Sequence, residues 1–545
     1  MRLVHVVSIV VLLSMAADVL GQAADPKPTP KPTPKPTSKQ QQRLRRPEWR
    51  ATLTLPMDLW HDVTATTIGE TAEWTNKVEL ADIDGDGRVD VLFANGGDYD
   101  KPGTAVPTRV FSNRAIGAWP EITKQVFGDA TFFARVVKAR DVNGDGIVDL
   151  FVGTTFQTQS RLYLGKGGGR FEDATATNLP AMPLSVGDIE FGDYDGDGDL
   201  DMVLADWGPG SPMRNDGARQ RLWRNDGGKF TDVTEATIPD VKVRFCWELE
   251  FVDVDNDFDL DLLVSSKKSS GSFLFHNDGN GKFVDVSKEC LPQFTNNYEF
   301  EPMDVDGDGY LDLVTINDGV GKRRFSEHLF RADGKGGFVD ATDMVWPEAD
   351  NPRSDDNMIA FLDYDSDGDA DFLIASLNGV ERLLVNDGTG HFAAGAPVFD
   401  GERTRATLGL AIADLNGDHR MDCVHAEGEV KNAEADKVFF GKSIAKDTAA
   451  PFVGVIDAQP IDGGVLVRVR VHDRKSPSMP HDWQKVVLHI DDGEEKVSMP
   501  MQWYGEYLWR ASPKATKGSN LQLSIEAVDA AGNVTRSPVK SVRVH

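Results

Sequence analysis
Short apolar runs alternate with acidic turns through the middle of the chain. Lys77-Val78-Glu79-Leu80 leads into one such turn and Val91-Leu92-Phe93-Ala94 leads out of it. Glu248-Leu249-Glu250-Phe251 and Leu313-Val314-Thr315-Ile316 repeat the entry and the exit elsewhere. Apolar or β-branched runs of about four to eight residues between turn residues predict strands. A second pattern follows each exit. RLWRNDGGKFTDVT from Arg221, FLFHNDGNGKFVDVS from Phe273 and HLFRADGKGGFVDAT from His328 each read as a strand, a glycine turn and another strand. No segment carries a helical period. The chain is predicted to be all-β, with four strands per unit, and an α/β fold is excluded.

The acidic turns are copies of one nonapeptide, acidic-x-acidic-x-Asp-x-x-apolar-Asp. The copies are DIDGDGRVD from Asp82, DVNGDGIVD from Asp141, DYDGDGDLD from Asp193, DVDNDFDLD from Asp253, DVDGDGYLD from Asp304, DYDSDGDAD from Asp363 and DLNGDHRMD from Asp414. Their starts are 59, 52, 60, 51, 59 and 51 residues apart. That period suits a four-stranded propeller blade. The ends predict how the ring closes. Leu59-Trp60-His61-Asp62-Val63-Thr64 resembles a fourth strand with no blade before it. The seventh unit stops after a third strand at Lys437-Val438-Phe439-Phe440. The N-terminal strand can therefore complete the seventh blade, which removes the open edges.

Charge turns these loops into candidate metal sites. The 545-residue chain has 87 Asp+Glu against 58 Lys+Arg, a formal net charge of −29. That balance argues against nucleic acid and against adsorption to anionic lipid. The nonapeptides alone hold 29 Asp. Side-chain oxygens at positions 1, 3, 5 and 9, with the carbonyl at position 7, can wrap one hard cation, and glycine at positions 4 and 6 permits the turn. The ligands this predicts are Asp82, Asp84, Asp86 and Asp90 with the Arg88 carbonyl in the first loop, and Asp141, Asn143, Asp145 and Asp149 with the Ile147 carbonyl in the second. The third loop offers Asp193, Asp195, Asp197 and Asp201 with the Asp199 carbonyl, and the fourth Asp253, Asp255, Asp257 and Asp261 with the Asp259 carbonyl. The fifth offers Asp304, Asp306, Asp308 and Asp312 with the Tyr310 carbonyl, and the sixth Asp363, Asp365, Asp367 and Asp371 with the Asp369 carbonyl. The seventh offers Asp414, Asn416, Asp418 and Asp422 with the Arg420 carbonyl. All-oxygen sets of this kind predict Ca2+, up to seven ions. An EF-hand is excluded because position 12 is never Glu. Phe258 and His419 replace the glycine at position 6, so the fourth and seventh loops are expected to bind most weakly.

Seven nonapeptides at blade spacing, with the NDGxGxF turns, resemble the FG-GAP/VCBS repeats of integrin α-subunits and of many secreted bacterial proteins. The resemblance covers roughly residues 56–445 and implies a seven-bladed β-propeller. It also implies calcium in the loops between the first and second strands, ligands on the opposite face, and a role in adhesion or recognition. Integrins carry the motif in only some blades, and no Arg-Gly-Asp occurs here. Tyr99, Trp74, Phe132, Phe133, Trp207, Trp247 and Tyr298 lie in or near loops of that opposite face, where they either stack on a ligand or pack between blades.

The flanks divide the rest. Residues 1–23 read as a signal peptide, with a basic start, an apolar run to Ala17 and small residues near Ala23. Residues 24–55, with PKPTPKPTPKPT over Pro26 to Thr37, read as an extended linker. Residues 446–545 read as a β-sandwich with strands at Val465–Val471, Lys485–Ile490, Trp503–Trp509 and Leu521–Val528. Ala530-Ala531-Gly532-Asn533-Val534-Thr535 resembles the closing turn of bacterial Ig-like or fibronectin III-like modules. Cys246, Cys290 and Cys423 are expected to be buried, with a Cys246–Cys290 bridge as an alternative.

The function expected is a secreted or cell-surface, monomeric calcium-binding propeller that recognises a glycan or an extracellular protein, with no membrane span in the mature chain and no enzyme activity. Two alternatives stay open. One is a polysaccharide lyase or hydrolase on the face opposite the calcium loops, with Arg244 and Tyr298 as residues to test. The other is a structural module of a surface assembly.

Overall fold
The computed structural model describes residues 58–544, apart from 115–116, 318–325, 378, 396–398, 400–405 and 429–433. The leader and linker expected over residues 1–55 lie outside the described residues. Seven antiparallel sheets follow one another along the chain, called blades 1 to 7 below. Their first strands are Thr75–Ala81, Ala134–Arg140, Val186–Gly192, Leu249–Val252, Asn297–Met303, Asp356–Leu362 and Thr407–Ala413. Each touches the first strand of the next blade, and the seventh touches the first, so the seven form a ring. Every nonapeptide fills the gap between a first and a second strand. The second strands begin on its ninth residue: Asp90, Asp149, Asp201, Asp261, Asp312, Asp371 and Asp422.

The second strands are apolar on both faces because both faces are covered. Val91 and Phe93 pack in one core with Val424 and Ala426 of blade 7. Leu92 and Ala94, pointing the other way, pack with Val137 and Leu150 of blade 2. A strand buried on both sides has no polar face, which is why these runs do not alternate. The outermost strand of blade 7 comes from near the start of the described residues. Trp60–Asp62 pairs antiparallel with Lys437–Gly441, Trp60 opposite Gly441 and Asp62 opposite Phe439. Blade 1 departs from the four-strand expectation. Among the described residues it has three strands, and the fourth is reduced to a single bridge, Phe111 opposite Glu121, before a short helix at Thr123–Phe127.

The C-terminal region forms two five-stranded antiparallel sheets on a shared core that includes Val467, Val469, Leu488, Leu523 and Ile525. The segment expected as one strand over Trp503–Trp509 is a hairpin, Gln502–Gly505 with Leu508–Ala511. This module does not hang free. Tyr504 and Leu508 join the core of Phe251, Leu260 and Leu262 in blade 4. Gly505 lies so close to Leu260 that a Cβ there would sit 2.4 Å from Leu260 Cδ1. The buried Tyr507 hydroxyl donates to the Pro302 carbonyl at 2.8 Å.

Candidate metal loops and the module that covers them
Each loop is shaped by its own carboxylates. The position-1 aspartate accepts backbone N–H groups from further along the turn. In six loops the N–H of position 6 donates to its Oδ2: Gly87 to Asp82, Gly146 to Asp141, Gly198 to Asp193, Gly309 to Asp304, Gly368 to Asp363 and His419 to Asp414, at 2.8–3.0 Å. The position-9 aspartate ties the loop to its blade. Asp149, for example, takes the Val142 N–H at 3.1 Å on one oxygen and the Gly165 N–H at 2.7 Å on the other. A carboxylate oxygen has two lone pairs, so these bonds leave room for a cation.

Carboxylates converge within most loops. One oxygen from each of Asp82, Asp84 and Asp86 lies within 4.8 Å of the others, and Asp193, Asp195 and Asp197 do the same. So do Asp253, Asp255 and Asp257, then Asp304, Asp306 and Asp308, and in the sixth loop Asp363, Asp365 and Asp371. The second and seventh loops carry Asn143 and Asn416 at position 3. Asn143 Oδ1 accepts the Asp145 N–H at 2.9 Å, and Asn416 Oδ1 accepts the Asp418 N–H at 2.9 Å. The donor sets are short-armed oxygens, which suit a hard cation. Burial lifts the ninth-position carboxyls, Asp90 to about 7, Asp149 to about 6, Asp201 to about 9, and Asp312 and Asp422 to about 8. A positive charge at the loop centre would reverse that shift.

Protein cations already sit on some of these oxygens, and the sequence reading missed them. Arg114 lies 2.8 Å from Asp84. Arg331 lies 2.7 Å from both Asp306 and Asp312. Arg510 of the module pairs directly with Asp193. The fourth loop holds the most. His276 Nδ1 is 2.7 Å from Asp261 and its Nε2 is 3.4 Å from Asp255. Its hydrogen bond to Asp261 and the nearby aspartates lift this imidazole to about 9, so it is charged at neutral pH. Arg470 Nη2 is 3.1 Å from Asp253 Oδ2, and Arg468 Nη1 is 3.1 Å from Asp259. By contrast, no cationic side chain pairs with Asp141, Asp145 or Asp149 among the described residues.

Arg468, Arg470 and Arg510 arrive because the module sits on the loop face of the propeller. Gln502 donates to the Gly198 carbonyl at 3.1 Å, Tyr504 to the Phe258 carbonyl at 3.0 Å, and the Asp447 N–H to the His419 carbonyl at 2.7 Å. The position-6 residues Phe258 and His419 adopt left-handed φ of 67° and 64°. Both therefore follow the glycine path of their neighbours, and both carbonyls are docking points. Between the module and the loops of blades 1 and 7 lies a cleft of about 720 Å³, lined by Asp82, Asp414, Asp447, Asp473, His481 and Trp483.

On the opposite face, aromatic residues of several blades pack together among the described residues. Tyr99, Trp207, Phe245, Trp247 and Tyr298 stack in one cluster. Arg135 lies 4.1 Å above Trp247 and Lys267 4.0 Å above Tyr298. Trp207, Trp247, Tyr298 and Phe132 are buried, so these aromatics pack between blades rather than face a ligand. Tyr298 is therefore not placed as a base, and Arg244 spends its guanidinium on the Asn215 and Lys268 carbonyls. Cys246, Cys290 and Cys423 are free and buried, so the Cys246–Cys290 bridge is not formed.

Charged residues also line the ring's axis. Lys77 pairs with Asp188 at 2.6 Å, Lys138 with Glu190 at 2.7 Å and Arg140 with Glu79 at 2.7 Å. Their sequence signal was the alternation of charge with apolar residues in the first strands, as in Lys77-Val78-Glu79-Leu80.

An FG-GAP-like repeat model matches residues 82–152, 141–204, 253–315 and 363–425. All seven nonapeptides fall inside those stretches. No curated protein matches the chain. Similar solved structures include BBS1N in complex with ARL6DN, 10% identical with a TM-score of 0.41 over 72% of this chain and 100% of that one. A Penicillium chrysogenum α-L-arabinanase complexed with arabinobiose is 13% identical, with a TM-score of 0.36 over 72% of this chain and 99% of that one. A Trypanosoma rangeli sialidase is 11% identical, with a TM-score of 0.35 over 87% of this chain and 91% of that one. The sheet order makes this chain an all-β protein of propeller architecture, and the matched stretches are similar to FG-GAP-like repeats.

Proposed function
We propose that the protein is a secreted, calcium-binding propeller that recognises a glycan or an extracellular protein. One observation carries the reading: in loop after loop, carboxylates from neighbouring positions bring oxygens within 4.8 Å of one another. Groups of like charge held that close are costly without a cation between them. Ca2+ fits best, because the donors are all oxygen and Mg2+ demands octahedral geometry and retains several waters, which an all-protein loop suits less well. The leader over residues 1–23 belongs to the same proposal, since sites of modest affinity fill outside the cell. The ligand is expected in the cleft between the module and the loops of blades 1 and 7, whose volume is in the usual range for a binding site.

The test is calcium content and thermal unfolding of the purified chain, with and without chelator. Several bound ions and a large fall in melting temperature on chelation are expected. No bound calcium with an unchanged melt would defeat the metal reading. A glycan array then asks for the ligand.

A second reading, a polysaccharide-degrading enzyme, is favoured by one feature of the same cleft. Burial lifts the Asp447 carboxyl to about 7 and the Asp473 carboxyl well above its usual range, as a general acid requires. Release of reducing ends from polysaccharides, lost in Asp473→Asn, would support it.

A further inference from the structure
The seven loops share a backbone, but the fourth is built differently at the centre where an ion would sit. In the other six, the position-6 N–H donates to Oδ2 of the first aspartate. Among the described residues the fourth loop makes no such bond. Its Asp253 Oδ2 takes the Arg470 guanidinium at 3.1 Å, and Arg470 also donates to the Asp253 carbonyl at 3.0 Å and to the Gly309 carbonyl of the fifth loop at 3.3 Å. Arg470 and Asp253 are both buried. Arg468 closes the far side of the loop, donating to Asp259 at 3.1 Å and to the Phe258 carbonyl at 3.2 Å. His276 holds Asp255 and Asp261 from within the blade.

We propose that the blade-4 loop takes no metal ion and serves instead as a guanidinium site, filled by Arg470 and Arg468, that anchors the C-terminal module to the propeller. A planar guanidinium with several fixed donors suits a curved set of carboxylate and carbonyl oxygens, which an ammonium would match less well. The same argument accounts for Phe258. In a loop with glycine at position 6 a ring would find no close partner, since a Cβ there meets no atom nearer than 3.8 Å. Here it lies under the Arg468 guanidinium, 5.4 Å from the ring centre, and its carbonyl accepts from both Arg468 and Tyr504. The non-glycine residue thus marks a docking loop rather than a weakened copy of a metal loop.

The inference rests on reading the other loops as cation sites, and the experiment separates the two. Crystals of the full chain grown with Mn2+ in place of Ca2+ would be mapped by anomalous scattering. Peaks in the loops of blades 2 and 6, with none in blade 4, are expected. A peak in the blade-4 loop beside peaks elsewhere would overturn the inference and leave the metal reading intact. Absence of peaks from every loop would overturn both. The paired variant Arg468→Gln/Arg470→Gln should gain a blade-4 peak. A folded variant that gains none would show that the arginines are not what keeps the ion out. If the variant does not fold, the wild-type map still decides.

Discussion

The loops of blades 2 and 4 have the same length, the same left-handed turn and the same place in their blades, yet they meet one electrostatic problem in different ways. DVNGDGIVD holds three aspartates, and no protein cation pairs with them among the described residues. DVDNDFDLD holds five, and Arg468, Arg470 and His276 pair with four of them. The loop with more negative charge is thus the one less in need of an ion. Counting aspartates is a poor guide to metal affinity. What matters is whether the rest of the fold supplies positive charge to the same oxygens, because the cost of a buried carboxylate is removed by any partner that reaches it.

The sharpest way to break this comparison is to remove the first aspartate of each loop. Asp253→Asn leaves the buried Arg470 without its ion-pair partner, and a loss of about 3–5 kcal/mol is expected. Burial lifts Asp253 to about 7 while Arg470 opposes that shift, so the measurement belongs at pH 8, where the pair is charged. The loss should be the same with Ca2+ or chelator present. Asp141→Asn should behave the other way. With ~1 mM Ca2+ and a dissociation constant near ~10 μM, an intact site contributes about 2.7 kcal/mol, and the variant should lose it. Chelator should erase the difference between variant and wild type. Denaturant melts under both conditions check both variants.

A pH series offers a control outside either loop. Asp436 is buried, accepts the Glu427 N–H at 2.9 Å and the Thr75 hydroxyl at 3.0 Å, and burial lifts its carboxyl to about 7. A raised folded pKa means the native state holds a proton that the unfolded chain gives up near pH 4. Its contribution is complete below about pH 4 and is lost as pH rises to 7. Between pH 5 and pH 8 this amounts to about 2.5 kcal/mol. Asp436→Asn should flatten the pH dependence by that amount, with or without calcium. An unchanged profile would mean the carboxyl is ionised in the fold.

The smallest effect is expected at position 6. Gly146→Ala forces a side chain into a left-handed turn and should cost about 1 kcal/mol. Phe258→Gly relieves that strain but removes the ring under Arg468, so the two effects should nearly cancel, to within about 1 kcal/mol. A large loss for Phe258→Gly would show that the ring contributes more to docking than the carbonyl does.

The propeller was legible in the chain because its information is local and repeated. Each nonapeptide fixes where a first strand ends and a second begins, and the second strands open on Asp90, Asp149, Asp201 and their counterparts without exception. Apolar runs with no polar face announce strands covered on both sides. The unpaired strand at Trp60–Asp62 and the missing fourth strand of blade 7 announce closure. These features depend on neighbours in sequence or on a period, and either can be read one copy at a time.

The site was legible only in half. The acidic ligands were visible, because short side chains in a tight turn must face one another. Their cations were not, because Arg470 lies more than two hundred residues from Asp253 and meets it only when the module docks. In Gly464–His472 the alternation showed which face was apolar, but the arginine face could equally have met water. The same holds for Trp207, Trp247 and Tyr298, aromatic residues near loops that packing draws inward. By itself the sequence determined the repeating strands and the acidic loops between them, since these follow from local periodicity and turn chemistry. Only the tertiary structure decided which loops keep an open centre, because long-range docking selects the oxygens that receive a guanidinium.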